Sequence, residues 1–347
     1  MLENRLDKRI KISNQLILKL AKIDELKGKW QGVFDLNPKF LRQLKKSVII
    51  TSSASSTRIE GSEMTDVQVE KFLRGFKQRK PKNRDEEEVV GYADLLGRIF
   101  DNYGKLKINE SSILQFHKIL LAFSKKDKDH RGKYKNRDNT VAIIVGDKIK
   151  KILFNPTPPY LVKKEMDDLF EWQKEKKDEL HPLIIIANFI FEFLAIHPFI
   201  DGNGRLSRAL TNLMMLQAGY DFIPYVSLEE IIENRQSEYY LFLRKTQKNH
   251  KTKKADISPW LEFFMEIIME QAQRALKLLD NNINLLSELQ EKVYNEFSVK
   301  KELSVSDIQK KTKISLATIK QAVAKLTELN MIKKIGQGRA VRYRRVN

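Results

Sequence analysis

The residues best suited to chemistry lie in one stretch, Ile196 to Arg208. An apolar run, Leu183 to Ile196, ends at His197-Pro198. Gly202-Asn203-Gly204 follows, and a second helix-patterned run extends to about Leu216. A Gly-Asn-Gly turn that opens a helix presents backbone N–H groups as a concave nest with the helix dipole behind it, a ready phosphate site. Arg205 and Arg208 stand three apart in the first turn of that helix, on neighbouring faces from which both guanidinium forks can reach a polyphosphate. Asp201, just before the nest, offers the hard oxygen that Mg²⁺ takes when it is also held by phosphates. His197 precedes it by four residues and has the side-chain type whose ordinary pKa, about 6.5, suits a base at neutral pH. The stretch therefore reads as a nucleotide-phosphate site with a base and a metal carboxylate. Gly-x-Gly turns are common, and spacing alone also admits a helix-loop-helix connection with a structural histidine.

Composition narrows the alternatives. The 347 residues suffice for two or three domains, and a 41% hydrophobic fraction allows a real core. The net charge of +19 favours an anionic partner such as a nucleotide, a nucleic acid or an acidic protein surface, although many lysine-rich proteins bind no nucleic acid. There is no cysteine, which excludes disulfides, thiolate zinc sites and cysteine nucleophiles, and five scattered histidines make a histidine-rich metal site improbable. The longest apolar run is too short to span a bilayer and contains Asn188 and Glu192. No secretory signal is evident at the N-terminus. A soluble cytoplasmic protein with no membrane partner is the expectation.

From His197 to Arg208 the chain satisfies His-x-Phe-x-(Asp/Glu)-Gly-Asn-Gly-Arg-x-x-Arg, eight specified positions in twelve residues. It thereby resembles the Fic family of nucleotidyl transferases. The resemblance implies a protein adenylyltransferase that moves AMP from ATP, with Mg²⁺, to a target hydroxyl. By the same resemblance His197 is the general base and Phe199 the loop anchor. Asp201 is the Mg²⁺ ligand, and Gly202, Asn203 and Gly204 form the anion hole. Arg205 is a phosphate contact and loop support, and Arg208 holds the γ-phosphate. The β-branched runs Thr140–Val145 and Lys148–Phe154, separated by Gly146-Asp147, predict a β-hairpin. That hairpin resembles the family's flap, on which a target protein segment docks by strand addition. Arg131 to Tyr134 resembles the approach to it. Asn234-Arg235 and Tyr239-Tyr240 resemble the adenosine side of the pocket, and Trp260 to Phe264 a closing core helix. His117, in an apolar helix, reads as a core histidine.

Ser56 and Glu60 are four apart and share a helix face that Gly61 can end. On its own this is a plain helix C-terminus. Beside the full loop, Ser-x-x-x-Glu-Gly resembles the family's inhibitory motif, which implies that Glu60 pairs with Arg208 and keeps ATP from a productive pose.

The elements needed to hold these residues are mostly helices. Residues 1–110 read as an N-terminal helical region, interrupted by a basic linker at Lys77–Arg84. Residues 111–280 read as the Fic core with its hairpin flap. Residues 285–347 read as a winged helix-turn-helix. In that last module a first helix spans Leu285–Phe297, Ser306 caps a helix over Asp307–Lys311, and Ser315 caps one over Leu316–Leu329. Ile332–Ile335 and Arg339–Val346 form the wing. From Lys310 onward there are eleven Lys/Arg and one acidic residue, Glu328. This suits DNA, with Ser315, Thr318, Lys320 and Gln321 toward the groove and Arg339, Arg342 and Arg344 near phosphates, or else packing on the core or recruitment of a protein. Three functional readings follow. The first is a self-inhibited AMP transferase, with a second copy of the chain, in a homodimer, as a candidate partner. The second is a DNA-binding regulator that senses nucleotide in the Fic pocket. The third is a Fic enzyme that removes AMP or transfers another nucleotide such as UMP. Retention of His197 favours an enzyme, since a pure sensor needs no base.

Overall fold

The computed structural model describes every residue except 1–4, 32–37, 77–79, 146–147, 284–286, 299–301, 329–330, 337, 339–340 and 346–347. The chain begins with α1 (Arg5–Lys8), α2 (Asn14–Gln31), α3 (Pro38–Ile59), α4 (Asp66–Gly75), α5 (Arg84–Asn102) and α6 (Glu110–Leu120). An antiparallel hairpin follows, β1 (Val141–Val145) and β2 (Lys148–Phe154). The helices resume with α7 (Pro159–Glu175), α8 (Pro182–Ile196), α9 (Asn203–Gln217), α10 (Leu228–Asn234), α11 (Gln236–Gln247) and α12 (Ser258–Ile283). The chain closes with α13 (Glu288–Asn295), α14 (Val305–Thr312), α15 (Leu316–Glu328) and a second antiparallel pair, β3 (Ile332–Ile335) and β4 (Arg342–Arg345).

Helix α8 is apolar on every side, and Leu183 through Ile196 are all buried. A helix hydrophobic all round belongs in a core, and α7, α9 and α12 pack around it. Its last residue delivers the chain to His197 from the most constrained place in the molecule. Helix α3, which carries Ser56 and Glu60, lies against α5 and α10 and touches α9. A small cluster of Ala54, Val69, Phe72, Val89 and Val90 fixes α3 to α4 and α5. Side-chain caps start the helices where the sequence offers them: Asn83 accepts from Glu86 N, Asn109 from Ser112 N and Ser227 from Glu230 N.

Helices α5 and α6 touch at a glycine. A Cβ on Gly91 would lie 2.0 Å from the Leu120 carbonyl oxygen, which is backbone and cannot turn aside. Gly91→Ala is therefore expected to destabilise the protein by about 1–3 kcal/mol, as overpacking does, and to lower the thermal midpoint by several degrees. An unchanged midpoint would mean that α6 can retreat without cost.

The hairpin strands form at the expected positions, with register shifts between Val141 and Ala142 and between Ile143 and Ile144. Its turn, Gly146-Asp147, lies outside the described residues. Residues 288–345 have a core of their own, built on Val293, Phe297, Leu303, Ile308, Ile319, Val323, Leu326 and Ile332. One expectation there is corrected. Ser304, not Ser306, caps α14: its side chain accepts from Asp307 N while the Asp307 carboxylate takes Ser304 N. The capping box needs an acceptor three residues on, which Ser304-x-x-Asp307 supplies. Ser315 does cap α15, accepting from Thr318 N at 3.2 Å. Among the described residues no helix is long and apolar enough to cross a membrane.

Candidate functional site

His197 ends α8 in a left-handed conformation, φ 52° and ψ 62°. This turns the chain out of the helix axis and leaves the ring half-buried beside the loop. Its Nδ1 lies 3.4 Å from the Leu194 carbonyl oxygen, so the proton belongs on Nδ1 and Nε2 keeps its lone pair. Burial, and then the charge of Lys135, push its pKa down to about 4. At neutral pH the imidazole is an unprotonated base.

The loop after it is closed from inside. Phe199 is fully buried, and Asn203 brackets its backbone: Oδ1 accepts from Phe199 N at 3.0 Å, and Nδ2 donates to Phe199 O at 2.8 Å. The Asn203 side chain is thus a loop clasp, and only its backbone is available to an anion. Gly202, at φ 81°, precedes α9 and has no side chain with which to cap it. The first-turn N–H groups of α9 therefore open onto the nest.

Asp201 accepts from Gly202 N at 2.6 Å and lies between two guanidiniums, Arg205 Nη2 at 3.2 Å and Arg84 Nη2 at 3.0 Å. Burial opposes its ionisation, but Arg205, the Gly202 N–H and Arg84 outweigh it and hold the carboxyl below its ordinary range. Arg205 is buried and faces Asp201 and Glu88, with Nη1 3.3 Å from Glu88 Oε2. It braces the loop. The two side chains go to different neighbours, Arg205 to Glu88 on α5 and Arg208 to Ser56 on α3. Among the described residues no group of three or more His, Asp or Glu side chains could hold a metal ion. A metal at Asp201 would take its remaining ligands from phosphate and water, which is the ordinary habit of Mg²⁺.

Arg208 is buried and held through Nε and Nη2. Its Nε donates to Ser56 Oγ at 2.9 Å, and its Nη2 donates to Ser56 O at 2.8 Å and to Glu60 Oε1 at 2.7 Å. Burial works against its charge, but the Glu60 carboxylate raises its pKa above the ordinary arginine value. Glu60 also lies over the nest: a Cβ on Gly204 would be 2.2 Å from Glu60 Oε1. The carboxylate thus stands at the positive end of α9, where an anion is favoured. Ser56, Glu60 and Arg208 are brought together as the sequence suggested.

The tyrosines divide. Tyr239 is buried against Trp260 and Phe263 with its hydroxyl beside Arg208, while half-buried Tyr240 donates through its hydroxyl to Ile59 O at 3.3 Å, beside Glu60. Arg235 pairs with Glu238 and Glu266. His117 is buried as expected, but it is more than core. Its ring stacks on Phe199 with centroids 3.8 Å apart, its Nδ1 accepts from Gly132 N at 2.8 Å, and its Nε2 donates to Asp201 O at 3.0 Å. Arg84 and His117 were not legible as loop contacts, since nothing in their local spacing points 82 or more residues down the chain.

A helix N-terminus, an imidazole, a carboxylate held between two guanidiniums and an arginine bridled by a glutamate form one constellation around the twelve-residue loop. Residues 107–215 match the Fic/DOC family. Over 251 residues the chain is 28% identical to the protein adenylyltransferase Fic of Drosophila grimshawi, covering 72% of this chain and 47% of that protein. The Drosophila willistoni protein of the same name is also 28% identical, with 72% and 45% covered. The chain spans about half the length of these curated relatives. Among solved structures, a Fic family protein from Desulfovibrio desulfuricans G20 superposes with a TM-score of 0.64 at 23% identity, covering 98% of both chains. A Fic domain-containing signaling protein from Bacteroides thetaiotaomicron gives a TM-score of 0.60 at 23% identity, covering 74% of this chain and 97% of that one. The Fic-type helical fold is therefore shared.

Proposed function

We propose that this chain transfers AMP from ATP to a hydroxyl side chain of a target protein, and that Glu60 holds it inactive by occupying Arg208. The observation that carries the reading is His197. Its Nε2 has no hydrogen-bond partner among the described residues, it is unprotonated at neutral pH, and it stands five residues before Gly202, the N-cap of a helix whose N-terminus suits phosphate. The target hydroxyl gives its proton to Nε2. Its oxygen then attacks the α-phosphorus, the bond to the β-phosphate oxygen breaks, and pyrophosphate leaves. The Gly202–Gly204 backbone receives the phosphate oxygens, and Arg208, once free, takes the γ-phosphate. The work is positioning and charge stabilisation. Mg²⁺, held at Asp201 and by the phosphates, would neutralise charge on the leaving pyrophosphate.

The test uses ATP labelled at the α-phosphate, with Mg²⁺ and cell lysate as a source of targets, and compares wild type with Glu60→Gly and Glu60→Gly/His197→Ala. Label on protein only in Glu60→Gly supports the reading. No label in any variant removes it. Label carried by UTP in place of ATP would point to the other nucleotide, and loss of AMP from a premodified protein to the reverse reaction.

The low pKa of His197 gives a pH prediction. A base with a depressed pKa stays competent on acidification, so kcat/KM of Glu60→Gly is expected to be flat from pH 8 to 6 and to fall only toward its pKa of about 4. A fall centred near pH 6.5 would place the imidazole in water.

A second partner is proposed for the C-terminal module, read as a winged helix. Ser315, Lys320 and Gln321 lie exposed on α15, and Lys333, Lys334, Arg342 and Arg344 lie exposed on the β3–β4 pair. Arg342 and Arg344 stand 4.0 and 3.8 Å from Asp307 and Glu302, contacts loose enough to exchange for phosphate. Arg339 lies outside the described residues. Binding to duplex DNA is expected to weaken with salt, and each phosphate contact removed by Arg342→Ala or Arg344→Ala should reduce the log–log salt slope by about 1. A salt-independent or undetectable signal in fluorescence anisotropy would leave the module as a protein contact.

A further inference from the structure

We infer that Lys135 is a positioning residue for His197, holding the left-handed backbone on which that histidine stands and fastening it to the root of the β1–β2 hairpin. The inference rests on the reading of His197 as the base.

Lys135 is almost completely buried although it is a lysine. The hydrogen bonds of its amine go to amide oxygens: Nζ donates to Asn139 Oδ1 at 2.6 Å and to Ile196 O at 3.4 Å. Its backbone N–H donates to Pro198 O at 2.8 Å. Asn139, oriented by that amine, donates through Nδ2 to Phe199 O at 2.9 Å. The carbonyls of residues 196, 198 and 199 are therefore all gripped by one five-residue segment, and they flank His197 on both sides. A non-glycine residue in the left-handed region costs on the order of 1–3 kcal/mol and persists only where its surroundings over-determine it. Here the surroundings are Lys135 and Asn139.

The segment has a second attachment. Asn139 precedes β1 by one residue, so the strand leaves directly from the clamp. An extended target segment added to the hairpin would be registered through Asn139 and Lys135 to the imidazole that must accept its proton. A displacement of about 1 Å in such a geometry costs roughly a hundredfold in rate. Neither residue touches the nest or Arg208, so ATP binding should not depend on them.

The test is made in the Glu60→Gly background. Lys135→Met keeps the length and removes the donors. It is expected to lower kcat about 10- to 100-fold while leaving KM for ATP within about twofold, and its crystal structure should show His197 outside the left-handed region. Asn139→Ala, at a half-buried position, should move both readouts the same way by less, and it keeps the question open to test if Lys135→Met does not fold. A kcat equal to that of Glu60→Gly, or His197 unmoved at positive φ in these variants, overturns the inference. If Glu60→Gly itself transfers nothing, the transferase reading fails, and the conformation of His197 still decides the positioning role.

Discussion

Replacing Glu60 with glycine should raise the rate of AMP transfer roughly 10- to 100-fold. The size follows from what holds Arg208. Glu60 accepts from it at 2.7 Å, and the guanidinium is buried. A hydrogen bond between charged partners in such a place contributes about 1.5–3 kcal/mol, which is about one to two powers of ten in population. Glu60 itself is about one-third exposed on its side chain, so it can leave where Arg208 cannot. Its departure clears the nest above Gly204 and frees the fork for a γ-phosphate in the same step. Ser56→Ala should release less, because Ser56 still offers its backbone carbonyl to Arg208 at 2.8 Å. Initial rates of label incorporation from α-labelled ATP measure the effect, with Glu60→Gly/His197→Ala as the floor. If Glu60→Gly labels no faster than wild type while binding ATP equally, the ion pair is structural and regulation lies elsewhere.

The sequence was most informative where chemistry demands particular residue types in a fixed local order. His197 to Arg208 is such a run, and its helix, nest and carboxylate are where the spacing placed them. Ser56 and Glu60 were legible as a shared helix face, but their meeting with Arg208 across 148 or more residues came from resemblance, since spacing cannot report so distant a contact. The helices followed from periodicity, and errors arose at their ends, where Ser304 and Ser306 offered rival caps and only the partner at Asp307 decides. What stayed illegible was the part of the loop's support that comes from distant residues. His117 reads as an apolar-face histidine, and its ring does lie in the core. Its function comes from Phe199 beneath it and from two backbone groups, Gly132 N and Asp201 O, that no side-chain pattern encodes. Arg205 reads by resemblance as both a phosphate contact and a loop support, and its pairing with Asp201 and Glu88 is of the second kind.

Glu192→Ala should be among the most damaging single changes outside the site, costing about 3–5 kcal/mol of stability. Glu192 is the charged residue of α8, a helix otherwise apolar but for Asn188. Its Oε1 accepts from Arg5 Nη2 at 2.6 Å, and its Oε2 meets Arg9 Nη1 and His250 Nε2, the latter at 2.9 Å. Arg9 is as deeply buried as Glu192, donates to Asn188 Oδ1 at 2.8 Å and lies over the Phe191 ring. Alanine would leave that guanidinium in the core without its counter-charge, which is why the loss exceeds the net value of the pair. The double variant Arg9→Met/Glu192→Leu should recover much of it, because a matched apolar replacement leaves no fully buried orphan charge and Arg5, the other partner, is over one-third exposed and reaches water. The pH dependence has a definite sign. Burial opposes ionisation of Glu192, but Arg9 and His250 outweigh it and hold the carboxyl well below its ordinary range. That part of the stability is complete above the unfolded pKa of about 4.3 and is lost as pH falls below it. His250 is pushed down by burial in spite of Glu192, so its contribution shrinks in the same direction, beginning below about pH 6.5. Thermal midpoints from pH 8 to 4 should therefore fall on the acid side in wild type. Glu192→Ala should start several degrees lower throughout that range. Because α8 ends at His197, a variant that melts low yet keeps full transfer at low temperature would show that the cluster secures the fold alone, whereas a parallel loss of kcat would show that it also holds the base in place.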